Sequence, residues 1–130
     1  DIPPEASQGD LPSILSYIAV PVGYQCNAAA IVVLSETGHA ARLLSRLRPR
    51  MPVFAFMKDE RVCHQLAMNW GVYPFLLEGP EESLDALVRT TLDTCVRKGA
   101  LKPGDKVVFL AGLPLSRRGT TNVIRVETVV

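Results

Sequence analysis

Along this chain short unbroken apolar runs alternate with longer segments in which apolar residues recur every three or four positions, and that alternation predicts the fold. Ala29 to Leu34, Val53 to Met57, Val72 to Leu77 and Val107 to Leu110 have strand length and no polar alternation, as expected of strands buried on both faces. Between the first two, Ala40, Leu43, Leu44 and Leu47 keep the i, i+3, i+4, i+7 spacing of a helix with one buried face, ended by Arg48-Pro49-Arg50. Asp59 is placed to cap a helix from Glu60 to Trp70, whose stripe is Val62, Cys63, Leu66, Ala67 and Trp70. Gly71 stands where a left-handed residue ends such a helix. Gly79-Pro80 breaks the chain before a longer helix over residues 81–98, in which Leu84, Leu87, Val88, Thr91 and Cys95 align and which Gly99 stops.

Prolines and the two ends of the chain complete the pattern. Asp10 as a cap and Pro12 in the first turn open a helix carried by Ile14, Leu15, Ile18 and Val22, in which Pro21 predicts a kink or an early stop. Pro74 allows the third strand only at a sheet edge or a bulge. After a turn at Lys102-Pro103-Gly104-Asp105 and the fourth strand, residues 113–121 read as a loop rich in Gly, Ser, Thr and Arg. Residues 122–130 then alternate as a strand with one less buried face. That last strand follows a loop instead of a helix, so it is expected to run antiparallel. The fold class is α/β: three layers, a mostly parallel five-stranded sheet with helices on both faces, and the last strand antiparallel. Residues 1–9, DIPPEASQG, read as a linker or arm, and residues 10–130 as one domain.

Composition narrows the classes. The 14 Lys and Arg nearly cancel the 13 Asp and Glu, for a net charge of +1, whereas a general binder of nucleic acid or anionic membrane carries a marked basic excess. No nucleic-acid or membrane partner is expected. The apolar runs fall far short of the roughly 20 residues of a membrane helix, and no basic segment followed by an apolar one opens the chain, so no secretory signal is expected. A first residue of Asp instead of Met suggests a chain cut from something longer or processed. Cys26, Cys63 and Cys95 contain no C-x-x-C pair and stand at no metal-ligand spacing with His39 or His64. They read as reduced thiols, with Cys63 and Cys95 on apolar helix faces, and no metal site is expected.

Candidate chemistry lies where strands end. In open α/β sheets ligands collect at the carboxyl ends of strands, beside helix N-termini. Ser35-Glu36-Thr37-Gly38-His39 stands at such a junction, where the amides of Thr37, Gly38 and His39 are expected to be free first-turn donors and the helix dipole favours an anion. Ser35 and Thr37 add hydroxyls, Gly38 permits close approach, and a protonated His39 would add charge. Glu36 opposes this, and Ser-x-Thr before a helix is also an ordinary cap, so both readings stay open. The segment Gly112 to Asn122 also follows a strand and so lies on the same side of the sheet; Arg117 and Arg118 there could clamp phosphate or simply be solvated. Arg42, Arg46, Arg48 and Arg50 read as a solvated face and exit turn, with a subunit contact as the alternative. The chain holds no G-x-G-x-x-G, P-loop or G-x-S-x-G sequence, and no nucleophile and base at recognisable spacing, which argues against an enzyme complete in itself.

The stretches AAIVVLSETGHAARLLSRLRPRMPVFAF, WGVYPFLLE and KPGDKVVFLAGLP, closing in GTTNVIRV, are collinear and resemble the C-terminal domain of pyruvate kinase over roughly residues 11–130. The resemblance implies a parent enzyme that transfers the phosphoryl group of phosphoenolpyruvate to ADP, in glycolysis. It uses magnesium and usually potassium and works as a cytoplasmic homotetramer. The family's active site lies in a barrel and a lid domain, so this chain alone is expected to be catalytically inert and to carry no cofactor. In the family this domain carries subunit contacts and, in regulated members, a site for phosphorylated effectors. The family's phosphate loop falls on Ser35, Glu36, Thr37, Gly38, His39 and Ala40, of which Ala40 departs from the pattern by lacking a hydroxyl. Its closing effector loop falls on Ser116 to Asn122. The effector-phosphate residues implied are Ser35, Thr37, Gly38, His39, Arg118, Gly119 and Thr120. The long helix lacks the Trp and Arg that hold fructose 1,6-bisphosphate in some members, so a sugar monophosphate or a nucleotide such as AMP is equally compatible. The alternative is a free-standing small-molecule-binding or interaction domain of the same fold.

Overall fold

Five strands and four helices alternate along residues 11–80, 83–112 and 121–130, the residues described by the computed structural model. In chain order they are α1 (Leu11–Gln25), β1 (Ala30–Leu34), α2 (His39–Arg46), β2 (Val53–Met57), α3 (Glu60–Leu66), β3 (Val72–Leu76), α4 (Leu84–Arg97), β4 (Lys106–Gly112) and β5 (Thr121–Thr128). The sheet order is β3-β2-β1-β4-β5, with β5 alone antiparallel to its neighbour.

Both sheet faces are buried because the chain reverses direction at β1. Right-handed crossovers place α2 and α3 on one face as the chain steps outward to β3, and place α4 on the other as it crosses back to β4. The inward residues alternate accordingly. Ile31, Val33, Val53, Ala55, Val108 and Leu110 meet α1, α2 and α3, while Val32, Phe54, Phe56, Val107, Phe109 and Ala111 meet Val88, Leu92 and Cys95 of α4. Cys95 is fully buried, and burial pushes its thiol up to about 11. At pH 8 about one part in a thousand is thiolate. Cys95 is therefore expected to resist thiol reagents in the folded chain and to react only on unfolding, ahead of which Cys26 and Cys63, both half-buried, are labelled. Mass mapping of label positions with and without denaturant checks this, and rapid labelling of Cys95 in the folded chain would contradict the packing of α4.

Three expectations need correction. Pro21 neither stops nor shortens α1, which continues to Gln25. Pro21 is exposed, so water can meet the carbonyl that its missing amide leaves. Of the Ile14, Leu15, Ile18, Val22 stripe of α1 only Leu15 and Val22 pack against the core, and the buried positions are also Pro12, Ser16, Ala19 and Gly23, small residues that bring the helix backbone close to the sheet. A Cβ on Gly23 would run into the Met51 methyl group. The third helix, finally, ends at Leu66 instead of Trp70. The amides of Met68 and Asn69 bond back only three residues, to Gln65 and Leu66, which tightens the winding and turns Ala67 and Trp70 outward. Gly71 takes the expected left-handed conformation at φ 70°. The Asp10 cap and the 1–9 arm lie outside the described residues, and for α4 the described cap is Ser83, which accepts from the Ala86 amide.

Pro74 lies on an edge strand, and on its outer side. Val53 donates to the Gly71 carbonyl and Leu77 to the Met57 carbonyl, so odd-numbered residues of β3 face β2 and Pro74 faces away. No ladder bond is lost. At the opposite edge, Arg125 of β5 pairs with Glu127 at 2.7 Å and with Asp85 in the first turn of α4 at 2.9 Å. These contacts hold the guanidinium charged, Asp85 foremost.

Candidate anion-binding site

The turn between β1 and α2 stands at the point where the strand order reverses, since the chain leaves β1 toward β2 on one side and returns to β4 on the other. A crevice forms outside the carboxyl ends of strands at such a switch. Ser35 extends β1 by one residue, its amide donating to the Phe56 carbonyl of β2 at 3.0 Å, and is almost fully buried. Glu36 is exposed and Thr37 half-buried. Gly38 then takes φ 85° as the N-cap of α2, a conformation that an L side chain rarely adopts.

The N-cap residue of α2, Gly38, makes no side-chain cap hydrogen bond. Thr37 Oγ1 does accept from the His39 amide, at 3.3 Å, so His39 is not the free backbone donor that the sequence predicted. The first helical bond is from the Arg42 amide to the Gly38 carbonyl, at 2.9 Å. Ahead of it the amides of Gly38, Ala40 and Ala41 have no acceptor among the described residues. They form the positive end of the α2 dipole. Among the described residues the turn is thus half capped, by one threonine oxygen, with three backbone donors left over. Ala40 is buried, so the missing hydroxyl at this position is replaced by packing instead of by water.

One contributor escaped the sequence pattern. Arg42, assigned there to a solvated face, folds back so that its Nη2 donates to the Thr37 carbonyl at 3.0 Å. Its Nη1 lies 2.7 Å from where a Cβ on Gly38 would sit. A guanidinium therefore lies against the turn, adding a fixed positive charge to the dipole and offsetting Glu36. The signal available was its place four residues after the glycine, one helical turn above the loop. Arg46 is exposed, as expected of a solvated position. Arg48 and Arg50 are exposed too, and each stacks on a ring: Arg48 lies 4.8 Å from the Trp70 ring centroid and Arg50 4.6 Å from that of Tyr24.

The structure thus brings Ser35, Thr37, Gly38 and His39 together in one turn. Arg118, Gly119 and Thr120 lie outside the described residues. The β4–β5 connection to which they belong leaves the sheet at Gly112 and returns at Thr121, at the carboxyl end of the strand beside β1. Among the described residues no group of three His, Cys, Asp or Glu side chains could hold a metal ion. None of the described helices is long and apolar enough to cross a membrane.

Comparison with known proteins assigns the family. The profile of the pyruvate kinase alpha/beta domain matches residues 14–127. The chain is 40% identical to the pyruvate kinase of Clostridium acetobutylicum over 102 residues, which is 78% of this chain and 21% of that protein. It is 34% identical to the pyruvate kinase of Staphylococcus epidermidis and 32% identical to that of Staphylococcus aureus, in each case over 120 residues, 90% of this chain and 20% of the relative. The chain therefore spans about a fifth of the length of the curated relatives that it matches. On these matches the chain belongs to the pyruvate kinase family, as its α/β domain.

Proposed function

We propose that the chain is the C-terminal domain of a pyruvate kinase and that the turn Ser35 to His39, with the β4–β5 connection beside it, binds the phosphate of an effector. The observation that carries this reading is the half-capped N-terminus of α2, whose glycine and spare amides face the switch point of the sheet. The parent enzyme would transfer the phosphoryl group of phosphoenolpyruvate to ADP in the cytoplasm, with magnesium and potassium held by domains outside this chain. Subunit assembly into a homotetramer is the domain's second proposed role. An effector acts on a remote active site only by binding one arrangement of domains or subunits better than another, and a coupling of about 1–3 kcal/mol suffices.

Calorimetry with glucose 6-phosphate and with AMP tests the site. One of the two is expected to bind, and Thr37→Ala and Arg118→Ala are each expected to weaken it about tenfold, the loss of one charge-assisted or hydroxyl contact. Thr37→Ala removes the hydroxyl that meets the His39 amide, and Arg118→Ala the cation of the neighbouring connection. Unchanged affinity in both variants would remove the site.

A further inference from the structure

Two side chains at the β1–α2 turn point to an anion independently of its backbone amides. Ser35 is only 6% exposed, and its hydroxyl has no hydrogen-bond partner among the described residues. The hydroxyl still reaches solvent, because no fully enclosed side-chain oxygen or nitrogen there lacks a partner. By alternation along β1, Ser35 shares the face of Ile31 and Val33, the face that α2 covers. Arg42 is the second. A helical side chain leans toward the N-terminus of its helix, and from one turn inside α2 that lean carries the guanidinium back over the loop. Nη2 donates to the Thr37 carbonyl at 3.0 Å, and Nη1 lies 2.7 Å from where a Cβ on Gly38 would stand. Arg42 is half-buried, and among the described residues no carboxylate pairs with it. One N–H holds the group in place, and the others remain for a ligand.

The sign of the charge at the turn depends on this one residue. A helix N-terminus is worth about half a positive charge, whereas Glu36, exposed two residues before the N-cap, brings a full negative one. Without Arg42 the described turn is net negative and repels an anion, the more so the higher the anion's charge. With Arg42 the sum is positive. We propose, on the reading of this turn as a phosphate site, that Arg42 is its specificity-determining residue and selects dianionic phosphate monoesters over monoanionic diesters. Charge favours the monoester twice over, and so does the count of acceptors. A monoester offers three terminal oxygens, enough for the guanidinium fork together with the spare amides of Gly38, Ala40 and Ala41, and a diester has one fewer.

Methyl phosphate and dimethyl phosphate at pH 8, where imidazole is ordinarily neutral, separate the two charges. The amide signals of Gly38, Ala40 and Ala41, followed by NMR in the isotope-labelled full chain, report binding at the turn itself. Methyl phosphate is expected to shift them saturably, and dimethyl phosphate to bind about fivefold more weakly or worse. Arg42→Gln is expected to weaken methyl phosphate about tenfold and to lose the preference with it, whereas Arg42→Lys keeps the preference. Glu36→Gln, on an exposed side chain, is expected to tighten methyl phosphate about threefold, with or without Arg42→Gln. Glu36→Gln leaves the bond from Arg42 to Thr37 untouched, so it decides the matter even where Arg42→Gln shifts the thermal transition. If methyl phosphate moves none of the three amides in the unaltered chain, the phosphate reading of the turn fails and the role of Arg42 with it. If methyl phosphate binds there but Arg42→Gln keeps both affinity and preference, or Glu36→Gln changes neither, the role of Arg42 alone is overturned.

Discussion

Phe109→Ala is expected to lower the unfolding free energy by about 3–5 kcal/mol, the usual cost of emptying a phenylalanine site in a core that cannot collapse around it. Phe109 is fully buried in β4, between Val32 of β1 and Arg125 of β5. It stands in the core layer that α4 covers, and this is the reason for the large number. Among the described residues three helices cover the opposite face, but here α4 is the one helix, through Val88, Leu92 and Cys95, with Leu101 and Val129 beside it. Domains of this size are stable by only about 5–15 kcal/mol, so the variant should be partly unfolded at physiological temperature. Urea unfolding by circular dichroism measures the loss, with Phe109→Leu expected to cost distinctly less. A loss below about 1 kcal/mol would mean that α4 is not seated as described.

Gly38→Val is expected to be the most damaging change in the turn, costing about 2–4 kcal/mol and abolishing phosphate binding together. Two costs combine. At φ 85° a β-branched residue is strained, which is worth about 1–3 kcal/mol. The space is filled as well: a Cβ there would stand 3.2 Å from Leu66 Cδ2 and 3.3 Å from Val62 Cγ1, both on α3, and closer still to the Arg42 guanidinium. Arg42 can swing away, but then the cation that leans on the turn is lost. Gly38→Asn is the informative comparison, because Asn enters the left-handed region more readily and isolates the steric part. Chemical unfolding and phosphate calorimetry on both variants check this. Retention of binding by Gly38→Val would place the anion elsewhere.

The strands were legible because burial on both faces leaves no polar interruptions, as in Ala29 to Leu34, and Pro74 narrowed β3 to an edge or a bulge, of which the structure has the edge. The buried face of α1 was not. That helix is apolar almost all round, so periodicity could not separate Ile14 and Ile18 from Ser16, Ala19 and Gly23, which face inward because the sheet is close. Helical phase put Arg42 among polar residues correctly, but phase says nothing about where a six-bond side chain lays its end. The turn itself was readable as a strand, a glycine and a helix in succession.

The outward-facing Pro74 also makes the sheet one-ended. An incoming strand would meet a missing donor at β3, whereas β5, on the far side, has no proline along its edge. Fibres grow by strand addition only if each added copy offers a fresh adhesive edge. Here a strand-to-strand contact between two copies through β5 uses the open edge of both, and the pair has none left. The proline therefore sets a stopping rule: association by this route terminates at two.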